Sequence, residues 1–233
     1  MYILAIDTAG KATSAALVDE STVIARCGLN TGLTHSQKFL PMVDSLLTLA
    51  EIDLADVEAV AVTIGPGSFT GLRIGIATAK AWSEALNLPL IPVSTLAAAA
   101  AAADHSGYVC PIFDARKNQV YCALFQDAKR IWEDQALSLT DLAHKLPTEG
   151  RVLFCGDAVS VYEKELADLM TDRLQKPTLD KGLFLAEGAA FLARSLFLTG
   201  QTVTAEQLRP SYLRRSEAEV TKEKKQMKEA PHG

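Results

Sequence analysis

A basic excess is missing from this chain: its 23 lysines and arginines stand against 28 acidic residues, for a net charge of −5 and a pI near 5.4. An autonomous nucleic-acid binder normally carries a basic face, so that class is disfavoured. Paired cysteines are missing too. Cys27, Cys110, Cys122 and Cys155 form no Cys-x-x-Cys and sit in strand-like apolar runs, as expected of reduced core thiols in a cytoplasmic protein. No apolar run is long enough for a bilayer, since the alanines from Ala97 to Ala103 are too few and too weakly apolar. Met1-Tyr2-Ile3-Leu4-Ala5-Ile6 leads into Asp7 without a basic start or a cleavage site, so a signal peptide is not expected. The familiar catalytic signatures are absent as well. His35, His105, His144 and His232 are scattered without metal-ligand spacing. There is no Gly-x-Ser-x-Gly elbow and no His-Glu-x-x-His, and nothing supplies a base for Ser68.

The densest local pattern is Gly65-Pro66-Gly67-Ser68-Phe69-Thr70-Gly71-Leu72-Arg73-Ile74-Gly75, between the apolar run Val60 to Ile64 and the helical run Ile76 to Trp82. It reads as strand, tight loop and helix. Such a loop can present the unpaired first amides of a helix to a phosphate. Equally, its glycines can serve a tight turn and close packing. It lacks the lysine of the nucleotide-binding P-loop and does not match Gly-x-Gly-x-x-Gly.

Read in order, the chain predicts strands Tyr2 to Asp7, Thr13 to Val18 and Thr22 to Leu29, then a helix from His35 to Ala50. Thr34 and Gln37 supply a capping box for that helix, and Pro41 is expected to kink or divide it. The strand ending at Ile64, a helix to Leu86, a strand Leu90 to Val93 and a helix opened by Ser94 or Thr95 complete a first unit. A second follows the same order: strands Tyr108 to Asp114, Gln119 to Gln126, Arg130 to Ala136 and Val152 to Cys155, with helices near Asp141 to Lys145, Val159 to Thr171 and Leu183 to Leu198. Ile6-Asp7 overlays Phe113-Asp114, and Ala16-Leu17-Val18 overlays Ala123-Leu124-Phe125, at one constant offset. This is read as a duplication.

The predicted fold is therefore α/β, a duplicated actin-like (ASKHA, ribonuclease H-like) architecture of two βββαβα-type domains facing each other. The expected division is 1–104, 105–208 and a polar tail 209–233. In that fold the paired strand-turn-strand units hold nucleotide phosphates, with an aspartate at each turn for Mg²⁺. Here Asp7 is followed by Thr8-Ala9-Gly10-Lys11 and Asp114 by Ala115-Arg116-Lys117-Asn118. One turn has a late glycine and the other none, although backbone amides must approach phosphate closely. The two aspartates could hold an ion or simply cap their turns.

The helices carry a different signal. Phe69 to Leu86 has charges only at Arg73, Lys80 and Glu84, and Phe39, Val43, Leu46 and Leu47 line one face of the preceding helix, which Met42 and Leu49 widen. A helix apolar over most of its circumference must be covered on several sides. Either the two helices bury each other on the sheet, or they form a subunit interface. The candidate interface residues are Phe39, Val43, Leu46, Leu47, Gly71, Gly75, Thr78 and Trp82, with Gly71 and Gly75 leaving room for another helix.

Ile3-Leu4-Ala5-Ile6-Asp7-Thr8, His35-Ser36-Gln37 with Leu40-Pro41-Met42-Val43, the Gly65 to Gly75 motif, Pro92-Val93-Ser94-Thr95-Leu96 and Tyr212-Leu213-Arg214 closely resemble the TsaB (YeaZ) family. The likeness spans nearly the whole chain, densest in its first hundred residues. It implies a non-catalytic role in placing the threonylcarbamoyl group on adenosine 37 of tRNAs reading ANN codons. It also implies a TsaD-like catalytic subunit bound through the N-terminal helices, a TsaE-like ATPase beside it, a homodimer when alone, and tRNA reached only through the complex. No membrane contact is implied. No cofactor is expected on this chain, with ATP or ADP and metal on the partners. TsaD-like proteins carry His-x-x-x-His after an Ile-Pro-Val strand; here those positions are Thr95 and Ala99, which cannot ligate a metal in place of imidazole. Their Gly-Gly pair near the second-domain nucleotide site is Gly156-Asp157, an anion where phosphate would approach. The rival readings are an actin-fold ATP-dependent small-molecule kinase using Asp7 and Asp114, and a metal-dependent peptidase.

Overall fold

The computed structural model describes residues 1–31, 35–177 and 182–213. The Thr34 half of the expected capping box and the tail from 214 onward lie outside the described residues.

Two five-stranded sheets repeat one topology. The first contains β1 (Ile3–Asp7), β2 (Thr13–Val18), β3 (Val23–Leu29), β4 (Ala59–Gly65) and β5 (Leu90–Ser94), in the order β3-β2-β1-β4-β5. The second contains β6 (Tyr108–Asp114), β7 (Gln119–Gln126), β8 (Lys129–Ser138), β9 (Val152–Cys155) and β10 (Leu174–Gln175), in the order β8-β7-β6-β9-β10. In each, the first three strands form an antiparallel meander and the last two add in parallel. Ile6-Asp7 and Phe113-Asp114 hold equivalent places at the ends of β1 and β6, as the overlay predicts.

Helices α1 (His35–Ala50) and α2 (Phe69–Leu86) cover the outer face of the first sheet. Helices α4 (Leu139–Lys145) and α5 (Glu163–Met170) cover that of the second. Between the sheets lie α3 (Thr95–Ala103) and α6 (Ala186–Leu198). The alanine run has its explanation here: a Cβ on Gly188 of α6 would stand 2.0 Å from the Ala98 carbonyl of α3, so only small residues let these helices cross at backbone distance. Pro41 does not divide α1, which runs unbroken through it; the ring faces solvent, where the missing amide bond costs least, and Ser45 Oγ donates to the Pro41 carbonyl at 2.8 Å. Helix α5 is shorter than expected, because the chain after β9 makes turns before Glu163.

The chain does not stay on one side after its midpoint. Helix α6 packs on β1, β2, β4 and β5 as well as on α3. Val203 then bridges to Leu90 through two backbone bonds, and the Ser211 amide donates to the Ile64 carbonyl at 2.7 Å. The last described segment therefore closes over the first unit. No helix among the described residues is long and apolar enough to cross a membrane.

Candidate functional site

The two expected phosphate turns approach each other through Asp157. Asp7 is fully buried at the end of β1, where its Oδ1 accepts the Ala9 amide at 3.0 Å and the Thr63 hydroxyl at 2.6 Å. Asp114 Oδ1 accepts the Arg116 amide at 2.8 Å. Each carboxylate thus bonds its own turn, as Asx residues do. The second turn has no glycine, yet Arg116, Lys117 and Asn118 all take left-handed angles, φ 64°, 55° and 57°.

Asp157 joins the two turns. Its Oδ2 accepts the Lys11 amide at 3.1 Å and its Oδ1 the Asp114 amide at 3.2 Å, and the residue is only 8% exposed. Gly156 makes this approach feasible: its φ is +99°, and a Cβ there would lie 2.3 Å from the Ile112 carbonyl. Burial raises the Asp157 carboxyl above its usual range, against the opposing pull of the two amides and the Lys11 charge. The Lys11 and Asp114 amides thus already bond a carboxylate, whose negative charge, when ionised, opposes a phosphate at the same place.

The Gly65–Gly75 loop is spent on its own chain. Ser68 caps α2 by accepting the Gly71 amide at 3.2 Å, and its own amide donates to the Ala9 carbonyl at 2.7 Å. A Cβ on Gly67 would stand 2.5 Å from that carbonyl, one on Gly71 would stand 2.0 Å from the Thr8 carbonyl, and one on Gly75 would meet Thr8 Oγ1 at 2.6 Å. The reading of Gly71 and Gly75 as room for another body's helix is therefore corrected. They make room for the β1–β2 turn, and the phosphate-cradle reading of the loop falls with it.

The positions matching the catalytic paralogue's histidines are also committed internally. Thr95 is buried and its hydroxyl accepts the Gly65 amide at 3.1 Å, while the Ala99 carbonyl accepts the Cys155 thiol. Among the described residues, no group of three or more His, Cys, Asp or Glu is placed to hold a metal ion. Burial pushes the Cys155 and Cys122 thiols up to about 12, and Cys110 well above its usual value.

The interface candidates separate by helix phase. Phe39 and Leu46 point inward and are buried in the core on the first sheet, while Val43, also largely buried, reaches the floor of a groove between α1 and α2. Leu47, Thr78 and Trp82 are half-buried at the edge. That edge opens into a groove of about 710 Å³ whose apolar lining includes Leu40, Val43, Leu47, Ile52, Leu54 and Trp82, with Asp44, Glu51 and Asp53 also lining it. Leu40 is 50% exposed and Leu49 85%. Leu40 is the residue that sequence reasoning missed as an interface candidate. Its spacing from Asp44, Leu47 and Thr48 was the available signal, one step out of phase with the buried stripe.

A second exposed feature joins residues of two motifs whose contact no local spacing predicts. Tyr212 from the closing segment stacks on Phe69 at 4.9 Å between ring centroids, and the Arg73 guanidinium lies 3.8 Å from the Phe69 ring on α2.

A family model described as TsaD, tRNA N6-adenosine threonylcarbamoyltransferase, matches residues 30–222. The tRNA threonylcarbamoyladenosine biosynthesis protein TsaB of Bacillus subtilis is 35% identical over 94% of this chain and 97% of its own length. The TsaB of Escherichia coli is 36% identical over 94% of this chain and 96% of its own. A solved structure described as YeaZ from Pseudomonas aeruginosa has 30% identity and a TM-score of 0.74, covering 91% of this chain and 99% of that one. A ROK hexokinase from Thermus thermophilus, 12% identical with a TM-score of 0.50, shares the actin-like fold alone.

Proposed function

This chain belongs to the TsaB family, works in the biosynthesis of threonylcarbamoyladenosine in tRNA, and, we propose, does so as a non-catalytic adaptor in the cytoplasm. The supporting observation is the apolar edge shared by α1 and α2, with Leu40 open to solvent and Leu47 and Trp82 half-covered beside the groove. An apolar edge beside a groove is unfavourable in water and marks a protein contact. The occupant is the TsaD-like catalytic subunit. In its absence a second copy of this chain takes the same edge.

The TsaE-like ATPase joins through that complex, tRNA is reached through it, and nucleotide and metal belong to the partner subunits. The meeting of both turns on an internal carboxylate supports this assignment. Asp157 on both turn amides supports a chain that binds no ATP of its own, and a small-molecule kinase is not favoured.

The test is co-purification with the TsaD-like subunit and an assay of modified tRNA with and without this chain. The adaptor reading requires a stable complex and modification that depends on it. Full modification without this chain would overturn it, and so would MgATP turnover by this chain alone.

A further inference from the structure

The two strand-turn-strand units, repeated by duplication, both end on one buried side chain from a third place in the sequence. Asp157 follows β9 and gives one carboxylate oxygen to each half: Oδ2 to the Lys11 amide of the β1–β2 turn at 3.1 Å, Oδ1 to the Asp114 amide at the end of β6 at 3.2 Å. The two donors are backbone groups, so their positions follow from the fold and not from side-chain choice.

We propose that Asp157 is a built-in substitute for a phosphate ligand, tying the two halves of the molecule together and masking a latent oxyanion site made by the Lys11 and Asp114 amides. Three further observations agree with this. Gly156 adopts φ +99° against the Ile112 carbonyl, which brings the following residue to the turns. Gly10 leaves the approach open, since a Cβ there would stand 3.3 Å from Asp157 Oδ2 and 3.2 Å from the Phe113 ring. Lys11, Arg116 and Lys117 place exposed cationic residues on the same two turns. Converging amides with cations nearby suit a tetrahedral oxyanion once the internal carboxylate is gone. A halves-joining anion that is part of the chain needs no nucleotide to hold it. The inference does not rest on the adaptor reading, because it concerns the free protein alone.

The test uses the full chain with Asp157→Ala and Asp157→Asn, melted in phosphate-free buffer and again in titrations of inorganic phosphate, pyrophosphate and ADP. Asp157→Ala is expected to melt at least about 3 °C below the unsubstituted protein, and to regain about 3 °C or more when phosphate saturates the exposed amides. The unsubstituted protein should ignore all three anions. Recovery with inorganic phosphate or pyrophosphate assigns a bare oxyanion site, and recovery only with ADP assigns a nucleotide site; either supports the masking role. An equal anion response in both proteins would overturn the proposal, as would an Asp157→Ala protein that melts normally or responds to none of the three anions.

If Asp157→Ala does not fold, Asp157→Asn decides through amide hydrogen exchange. Its carboxamide keeps one acceptor oxygen, so either the Lys11 or the Asp114 amide must exchange at least about tenfold faster while the other stays protected. Unchanged exchange at both would reject the tie.

Discussion

The hydroxyl of Thr8 donates to the Gly71 carbonyl at 2.7 Å and accepts the Gly75 amide at 3.1 Å. One buried side chain therefore clamps the first two turns of α2 onto the β1–β2 turn. Gly71→Ala drives a methyl into the Thr8 carbonyl and is expected to cost about 3 kcal/mol. Thr8→Val keeps the shape and loses both bonds, costing about 1–3 kcal/mol. Urea unfolding measures both, with little change expected in the slope m.

Phe39 and Leu40 are neighbours with opposite roles, 1% and 50% exposed. Phe39→Ala should destabilise the fold by about 3–5 kcal/mol. Leu40→Glu should alter stability by less than about 0.5 kcal/mol. It should nevertheless weaken the homodimer and the TsaD-like complex at least about tenfold, read by sedimentation and co-purification. A Leu40→Glu protein that assembles normally would move the interface elsewhere.

Asp157 sets a pH signature. Burial raises its carboxyl, opposed by the Lys11 and Asp114 amides and the Lys11 charge, and reinforced by the Asp114 charge. The folded state then keeps a proton that the unfolded chain releases near pH 4. Its stabilising contribution is complete below that pH and is lost as pH rises through the raised folded value. Melting temperatures from pH 3.5 to 6 should show this decline in the unsubstituted protein and lack it in Asp157→Asn. The slope reports the cost of charging the carboxyl. Loss of the tie is separate, since protonated and ionised forms both accept amide bonds.

Cys110, Cys122 and Cys155 are buried, with their thiols raised by desolvation. At pH 8 an aromatic disulfide reagent should leave these three untouched in the native protein and titrate them on unfolding. Cys27, half-buried at the edge of the first sheet, should react first and slowly. Rapid native reaction at Cys155 would contradict the packing of its thiol against the Ala99 carbonyl.

The order of every strand but the two-residue β10, the duplication and the family were legible in the sequence, because each is written in local pattern. Alternation marks strands, the Gly65–Gly75 motif marks a strand-loop-helix junction, and the match of Asp7 to Asp114 marks the repeat. Likeness to the paralogue also placed an anion, Asp157, near the second-domain nucleotide site. Tertiary structure decided the rest. Periodicity identifies an apolar stripe on α1 but cannot say which phase meets the sheet, so Phe39 and Leu46 stood with Val43 as candidates while Leu40 did not. A glycine shows that something comes close without naming it: Gly71 is met by Thr8, 63 residues away. The return of α6 to the first sheet and the meeting of both turns on one carboxylate are long-range pairings. Their energy arises only when distant segments exclude water together, and no local spacing encodes that.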